Sequence, residues 1–213
     1  IREMRNGKMR RLRYKKSNDE VEVVGLESDR HFHTFLSHVW GTGQDQMRIV
    51  KQRLVEMMPD LRVFLDVDDL EEIGDLEGYI ERTTQILIFC TDGYFKSKNC
   101  MREIIATTRM QKSVIALLEP DPMRGGLSID EVRERLISAE GSYAQWGFDP
   151  DTTPSGLAMY DHLFAHGPIE WNRIGHFQDV SMRLISERLL PDSNGTTYVD
   201  REIVHKKVPP LGM

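Results

Sequence analysis

Three residues at a constant step of three, Ser97, Cys100 and Glu103, follow an apolar run and a short loop. They are the group in this chain best suited to chemistry. A single carboxylate can stabilise the oxocarbenium-like charge that develops when a bond to a sugar carbon breaks, or orient the sugar hydroxyls, and it needs no metal to do so. At about 100° per residue, Glu103 lies off the apolar stripe of Met101, Ile104, Ile105 and Thr108, and periodicity alone makes it a solvated helix residue. Its spacing from Ser97 and Cys100, directly after a buried strand, favours a chemical role. Cys100 reads equally as a small packed residue at a helix start or as part of a site. His38 either binds substrate or forms a hydrogen bond at a sheet edge. Trp40 sits in a glycine-flanked turn, where its ring either packs in the core or stacks on a base. Backbone N–H groups at the start of the helix after Gly43 could receive an anion. The acids Asp66, Asp68, Asp69, Glu71 and Glu72 suggest a metal, but without a second cluster they read as a solvated loop that contacts a neighbouring subunit. His162, His166, Trp171 and His176 lack metal-binding spacing and are expected to pack the carboxyl-terminal region.

These residues need a scaffold, and the pattern supplies one. His31–His38 reads as a strand, Val39–Asp45 as a turn, and Met47, Val50, Leu54 and Met57 as a helical stripe closed by Pro59. Leu61–Leu65 is a strand, followed by an acidic loop at Asp66–Asp75 and a short helix marked by Leu76, Ile80 and Thr83. Gln85–Cys90 and Ser113–Leu118 are near-continuous apolar runs, as expected of strands buried on both faces. Between them lie the Thr91–Lys98 loop and a third helix. Beyond Pro120, Ile129–Ile137 is read as a helix and Gly141–Trp171 as a long ordered loop with short helical turns. Arg173–Leu190 is a helix with Ile174, Phe177, Leu184 and Leu189 on or near one face. Residues 191–213 form a tail or hairpin. This alternation predicts an α/β, flavodoxin-like fold: a central parallel β-sheet with helices on both faces. Ligands of such sheets sit at the carboxyl ends of the strands, which selects the loops 39–45, 66–75 and 91–99.

Composition narrows the function. The chain has 213 residues, 39% hydrophobic and 29% charged, enough for one domain with some decoration. No stretch approaches the roughly 18 apolar residues of a membrane helix. Two cysteines, Cys90 and Cys100, make neither a disulfide framework nor a zinc site, so a reducing, cytoplasmic compartment is expected. The net charge of −6 argues against general nucleic-acid binding. Residues 1–16 hold eight basic residues and the single acid Glu3, and read as a solvated linker or terminal helix. The first residue is Ile1, which suggests a piece of a longer, multidomain protein.

Three segments together resemble the TIR (Toll/interleukin-1 receptor) family. HTFLSH (33–38) is similar to its first strand box, and VFLDVDDLEEIGDLEGYIERT (63–83) to its second strand, BB loop and second helix. QILIFCTDGYFKSKNCMREI (85–104) resembles the third strand followed by the Ser-x-x-Cys-x-x-Glu pattern of NAD-cleaving members. The resemblance covers 31–118, and the helix at 173–190 corresponds to the last TIR helix. Residues 1–28 are then a basic linker or terminal extension, 29–190 the TIR domain with an enlarged region at 120–171, and 191–213 a tail or linker. The resemblance implies an NAD+ nucleosidase that yields nicotinamide and ADP-ribose or a cyclic ADP-ribose product, in immune or cell-death signalling. It implies Glu103 as the catalytic residue and Ser37, His38, Trp40, Gly41, Asp66, Leu76 and Cys100 near the substrate. It further implies activation by self-association with other TIR domains, and NAD+ as substrate rather than cofactor, with no metal. Asn99 stands where many enzymatic members carry Trp, and Leu76 where an aromatic is usual. Two other readings remain open: a non-enzymatic TIR scaffold, and a relative of the nucleoside deoxyribosyltransferases, which share the topology and also use a Glu. A phospho-receiver is set aside, because the third strand ends in Cys90-Thr91 rather than Asp.

Overall fold

Two stretches of the chain present no polar side to water. Ile86, Leu87, Ile88, Phe89 and Cys90 are all 0% exposed, and Val114–Leu118 is buried throughout. A strand that buries both faces must lie inside a sheet covered on both sides. Each such large apolar side chain contributes about 1.5–3 kcal/mol by leaving water.

The computed structural model describes residues 10–65, 75–190 and 197–199. The strands are β1 (Leu12–Tyr14), β2 (Phe32–Ser37), β3 (Val63–Phe64), β4 (Thr83–Cys90), β5 (Ser113–Leu118), β6 (Ile169–Glu170) and β7 (Thr197–Val199). Five of them form a parallel sheet in the order β3-β2-β4-β5-β6. The strand that begins the sheet lies inside it and its successor at the edge, the flavodoxin-like arrangement. β1 and β7 pair antiparallel as a separate ribbon, with Leu12 opposite Val199.

The helices are α1 (Trp40–Met57), α2 (Leu76–Glu81), α3 (Lys98–Arg109), α4 (Ile129–Ala139), α5 (Tyr143–Trp146), α6 (Gly156–Leu163) and α7 (Gly175–Leu189). Alternation along the strands sorts the core into two layers. Phe35, Ile86, Ile88, Cys90, Val114, Ala116 and Leu118 pack with residues of α2 to α6. Leu36, Leu87, Phe89, Ile115, Leu117 and Ile169 pack with α1 and α7. The predicted stripe of α1 is buried as expected, and Gly43 joins it. A Cβ on Gly43 would lie 3.0 Å from His38 Cβ and 3.2 Å from Phe89 Cδ1, so the missing side chain lets α1 approach the sheet.

Three expectations need correction. The segment 39–45 is no turn: α1 begins at Trp40, and Gly41, Thr42 and Gly43 are already helical. Thr83 opens β4 rather than closing a helix. Within Gly141–Trp171 lie α5, α6 and the fifth sheet strand, β6. Two residues carry too little periodicity to announce a strand, yet Ile169 and Glu170 pair with Leu117 and Leu118. The apolar row on α7, read only as sharing a face, points outward: Ile174 is 69%, Phe177 59% and Leu184 37% exposed. The inward side carries Met182 and Ile185 together with Asp179, Ser181, Ser186 and Glu187.

The first and last described segments are tied to this body. Leu12 is fully buried in the α1/α7 layer. Arg10 donates to both oxygens of Asp179 at 2.6 and 2.7 Å, and Arg53 reaches the same carboxylate at 2.6 Å. The remainder of the basic run, 1–9, the acids between 66 and 74, and residues 200–213 lie outside the described residues.

Candidate functional site

Ser97 caps α3. Its hydroxyl accepts from the backbone N–H of Cys100 at 3.4 Å, which satisfies one of the donors a helix start leaves open. Cys100 and Glu103 then fall three and six residues on, close to one side of the helix. That side meets the carboxyl end of β2. The Cys100 thiol points at the His38 carbonyl, 3.5 Å away, and Glu103 accepts a hydrogen bond from the Ser37 hydroxyl.

Glu103 is therefore no solvated helix residue; it is 5% exposed. α3 is enclosed on most sides, with Cys100, Met101 and every residue from Glu103 to Thr108 buried, so a stripe read from apolar residues alone misjudged it. The Ser37 hydroxyl also lies 2.6 Å from the Tyr94 hydroxyl. Ser37 has one proton and gives it to the carboxylate, so Tyr94 must be the donor to Ser37. The result is a directional chain, Tyr94 to Ser37 to Glu103, in which each bond polarises the next. Burial pushes the Tyr94 phenol well above its ordinary value, and the charges of Glu103 and Cys100 add to this, while the Ser37 hydrogen bond opposes it. Tyr94 thus stays protonated and available as a donor.

The sequence did not single out Tyr94. The available signal was its place in the 91–99 loop, at the functional edge of the sheet. It sits in a single 3-10 turn, Tyr94–Lys96, between β4 and α3.

The remaining candidates divide. His38 is buried, and its Nδ1–H donates to the Leu36 carbonyl at 3.1 Å, the sheet-edge alternative raised above. Trp40 is 60% exposed, which rules out core packing. With Gly41, Thr42, Gln44, Arg124 and Arg173 it borders a polar cavity of about 440 Å³ that Ser37 and Glu103 do not line. Arg173 there is anchored to the fully buried Glu119, donating from Nε at 3.0 Å. Leu76, 8% exposed, is a core residue at the start of α2. Asp66 lies outside the described residues.

The imidazole of His162 bonds the Lys112 carbonyl, and the indole of the buried Trp171 donates to Gln46 at 2.8 Å; both serve packing. His166 and His176 are exposed. Cys90 is buried, its thiol directed at the Ile88 carbonyl, and burial pushes that thiol far up, away from reactivity. Among the described residues no group of three or more His, Cys, Asp or Glu could hold a metal, and no helix is long and apolar enough to cross a membrane.

Among solved structures, the TIR domains of the activated Roq1 resistosome directly recognising the pathogen effector XopQ superpose with a TM-score of 0.54 at 13% identity, covering 73% of this chain and 98% of that one. The fold is that of a TIR domain. A weaker likeness, TM-score 0.35 at 12% identity over 41% of this chain and 70% of the other, is to the TIR domain of the Toll-related receptor TRR-2 from the lower metazoan Hydra magnipapillata. No family model matches the sequence, and no curated protein matches it. In this TIR fold, Ser37 closes β2, an interior strand, at the carboxyl edge of the sheet, and the loop after the neighbouring β4 delivers Tyr94 and α3 to it.

Proposed function

We propose that this chain is a TIR-domain NAD+ nucleosidase that works in the cytosol, in immune or cell-death type signalling, and is activated by self-association. The observation that carries the reading is the buried carboxyl of Glu103, held by Ser37 and Tyr94 at the carboxyl edge of the sheet. A carboxylate withdrawn from water is costly, and such groups concentrate where chemistry needs them.

The reaction asks little of the protein. The bond between the ribose carbon and the nicotinamide nitrogen breaks, and its electron pair returns to the pyridinium, which leaves as neutral nicotinamide. The ribose acquires oxocarbenium character, and Glu103 stabilises that charge electrostatically in a low-dielectric setting. Water adds to the same carbon and releases a proton, giving ADP-ribose; attack by the adenine ring instead gives a cyclic product. Neither metal nor cofactor takes part. Ser37 and Tyr94 orient the carboxylate, while Trp40 and Gly41 border the neighbouring cavity, which an adenine or phosphate group would suit. The self-association half of the reading is supported by the exposed apolar row of α7 and by the assembled state of the Roq1 TIR domains.

The α7 row also serves the second reading, a scaffold that only binds other TIR domains, because it needs no Glu103. Nicotinamide release from NAD+, followed by chromatography at high protein concentration with a crowding agent, separates the two. The expected result is release by the wild type and a loss of about a hundredfold or more in Glu103→Ala and Glu103→Gln. No release by wild-type chain shown to be folded and self-associated would reject the enzyme and leave the scaffold.

A further inference from the structure

Residues of α3 form a second concavity, which Ser37, Tyr94 and Glu103 do not line. Lys98, Arg102, Ile105 and Arg109 recur there at helical spacing, and the opposite wall is Trp146, Gly147 and Phe148. Glu77 of α2 closes one side, and the volume is about 440 Å³, within the usual range for a small-molecule site. Gly147, at φ 78°, ends α5 in the left-handed conformation and lets Phe148 return beside Trp146. The two rings meet edge to face at 6.0 Å and are half-buried, so each keeps some surface open.

The charges do not balance. Three cations and one acid line the cavity. Arg102 is committed to Glu77, donating from Nε at 2.6 Å, and Arg109 donates to the Thr152 carbonyl at 3.1 Å. Lys98 is exposed and has no ion pair among the described residues. An aromatic wall facing an uncompensated ammonium and two guanidinium groups selects a flat ring that carries an anion.

We infer that this cavity is a second ligand site, which takes a small phosphorylated aromatic compound of the nucleoside monophosphate class. Its ring lies against Trp146 and Phe148, and its phosphate is held by Lys98 with Arg102 and Arg109 at the rim. Stacking on such side chains is worth about 1–3 kcal/mol per base by substitution, and a charged hydrogen bond adds a comparable amount.

The test uses AMP as probe and the indole N–H signals of the three tryptophans, Trp40, Trp146 and Trp171, in nitrogen-edited NMR, with Trp146 assigned through Trp146→Phe. AMP is expected to shift the Trp146 signal saturably, with adenosine and inorganic phosphate each at least about tenfold weaker. Lys98→Glu, at an exposed position, should keep the fold and weaken AMP at least about tenfold, whereas Glu103→Gln leaves the Trp146 titration unchanged. An unmoved Trp146 signal, an AMP affinity unaltered by Lys98→Glu, adenosine binding as tightly as AMP, or a titration abolished by Glu103→Gln would each overturn the assignment. None of these outcomes bears on whether the chain releases nicotinamide.

Discussion

Glu103 depends on its two hydroxyl neighbours in a graded way. Ser37→Ala removes a hydroxyl that donates to the carboxylate and leaves the Tyr94 hydroxyl facing a methyl group, two losses in a fully buried setting. Tyr94→Phe removes only the outer link. The expected costs in urea denaturation are about 2–3 kcal/mol for Ser37→Ala and about 1 kcal/mol for Tyr94→Phe. The reverse order would mean that Ser37 does not hold Glu103. Tyr94 adds a pH dependence. Its folded-state pKa is raised above the ordinary 10.0, first by burial and then by the Glu103 charge. Its contribution is fully present below pH 10.0 and is lost as pH rises beyond it, because the unfolded chain then releases the proton first. The stability difference between wild type and Tyr94→Phe should therefore shrink above that pH. Of this cluster, Cys100 and Glu103 were legible in the motif that begins at Ser97, and Ser37 in the resemblance of segment 33–38 to a first strand box, but the partner that completes it was not. Tyr94 comes from a 3-10 turn with no periodicity to mark it, and hydrogen bonds between distant residues leave no trace in spacing.

At the scale of elements, the readable ones were those whose burial is uniform. β4 and β5 announced themselves as apolar runs, and α1 by a single clean stripe. β6 escaped because it is two residues long, and the apolar row of α7 does not mark its buried side, because that side is largely polar. Polar residues can face inward there because partners wait for them: Ser181 donates to the Glu170 carbonyl at 2.6 Å, and Thr197 donates to Glu187 at 2.8 Å. Reading 39–45 as a turn because of its glycines overlooked the other use of glycine, close approach. Gly43→Ala tests that use. The new methyl would press on His38 and Phe89, neither of which has a flexible end to move aside at the point of contact. A cost of about 1–3 kcal/mol in stability is expected, with α1 displaced from the carboxyl end of β2. In contrast, Gly41→Ala, where a Cβ meets nothing within 4 Å, should be neutral or slightly stabilising, since alanine is the better helix former. Equal effects at the two positions would show that helix propensity, not packing against the sheet, governs the segment.

Over the whole molecule, a parallel sheet with helices on both faces followed from the alternation of strands and helices, whereas the closure of the chain onto itself did not. Arg10 and Asp179 stand 169 positions apart, and no local pattern pairs them. Asp179 is 5% exposed and receives both Arg10 and Arg53, so one carboxylate joins the basic terminal segment, α1 and α7. Part of the amino-terminal charge, read from sequence as solvated, is thereby neutralised inside the fold, and the strand pair β1–β7 forms beside it. Removing the carboxylate leaves two guanidinium groups side by side with their shared counter-charge gone. Asp179→Asn is therefore expected to cost about 3 kcal/mol, the lower end for a broken buried ion pair, because Arg10 is 40% exposed and can turn to solvent. Arg10→Ala should cost much less, about 1 kcal/mol or below, since Arg53 still neutralises Asp179. Hydrogen exchange adds the spatial test: Asp179→Asn should lose protection first in Leu12–Tyr14 and Thr197–Val199, while Ile86–Cys90 stays protected until global unfolding. Uniform loss of protection would make Asp179 a support of the central sheet instead, and would tie the terminal ribbon directly to the stability of the Glu103 site.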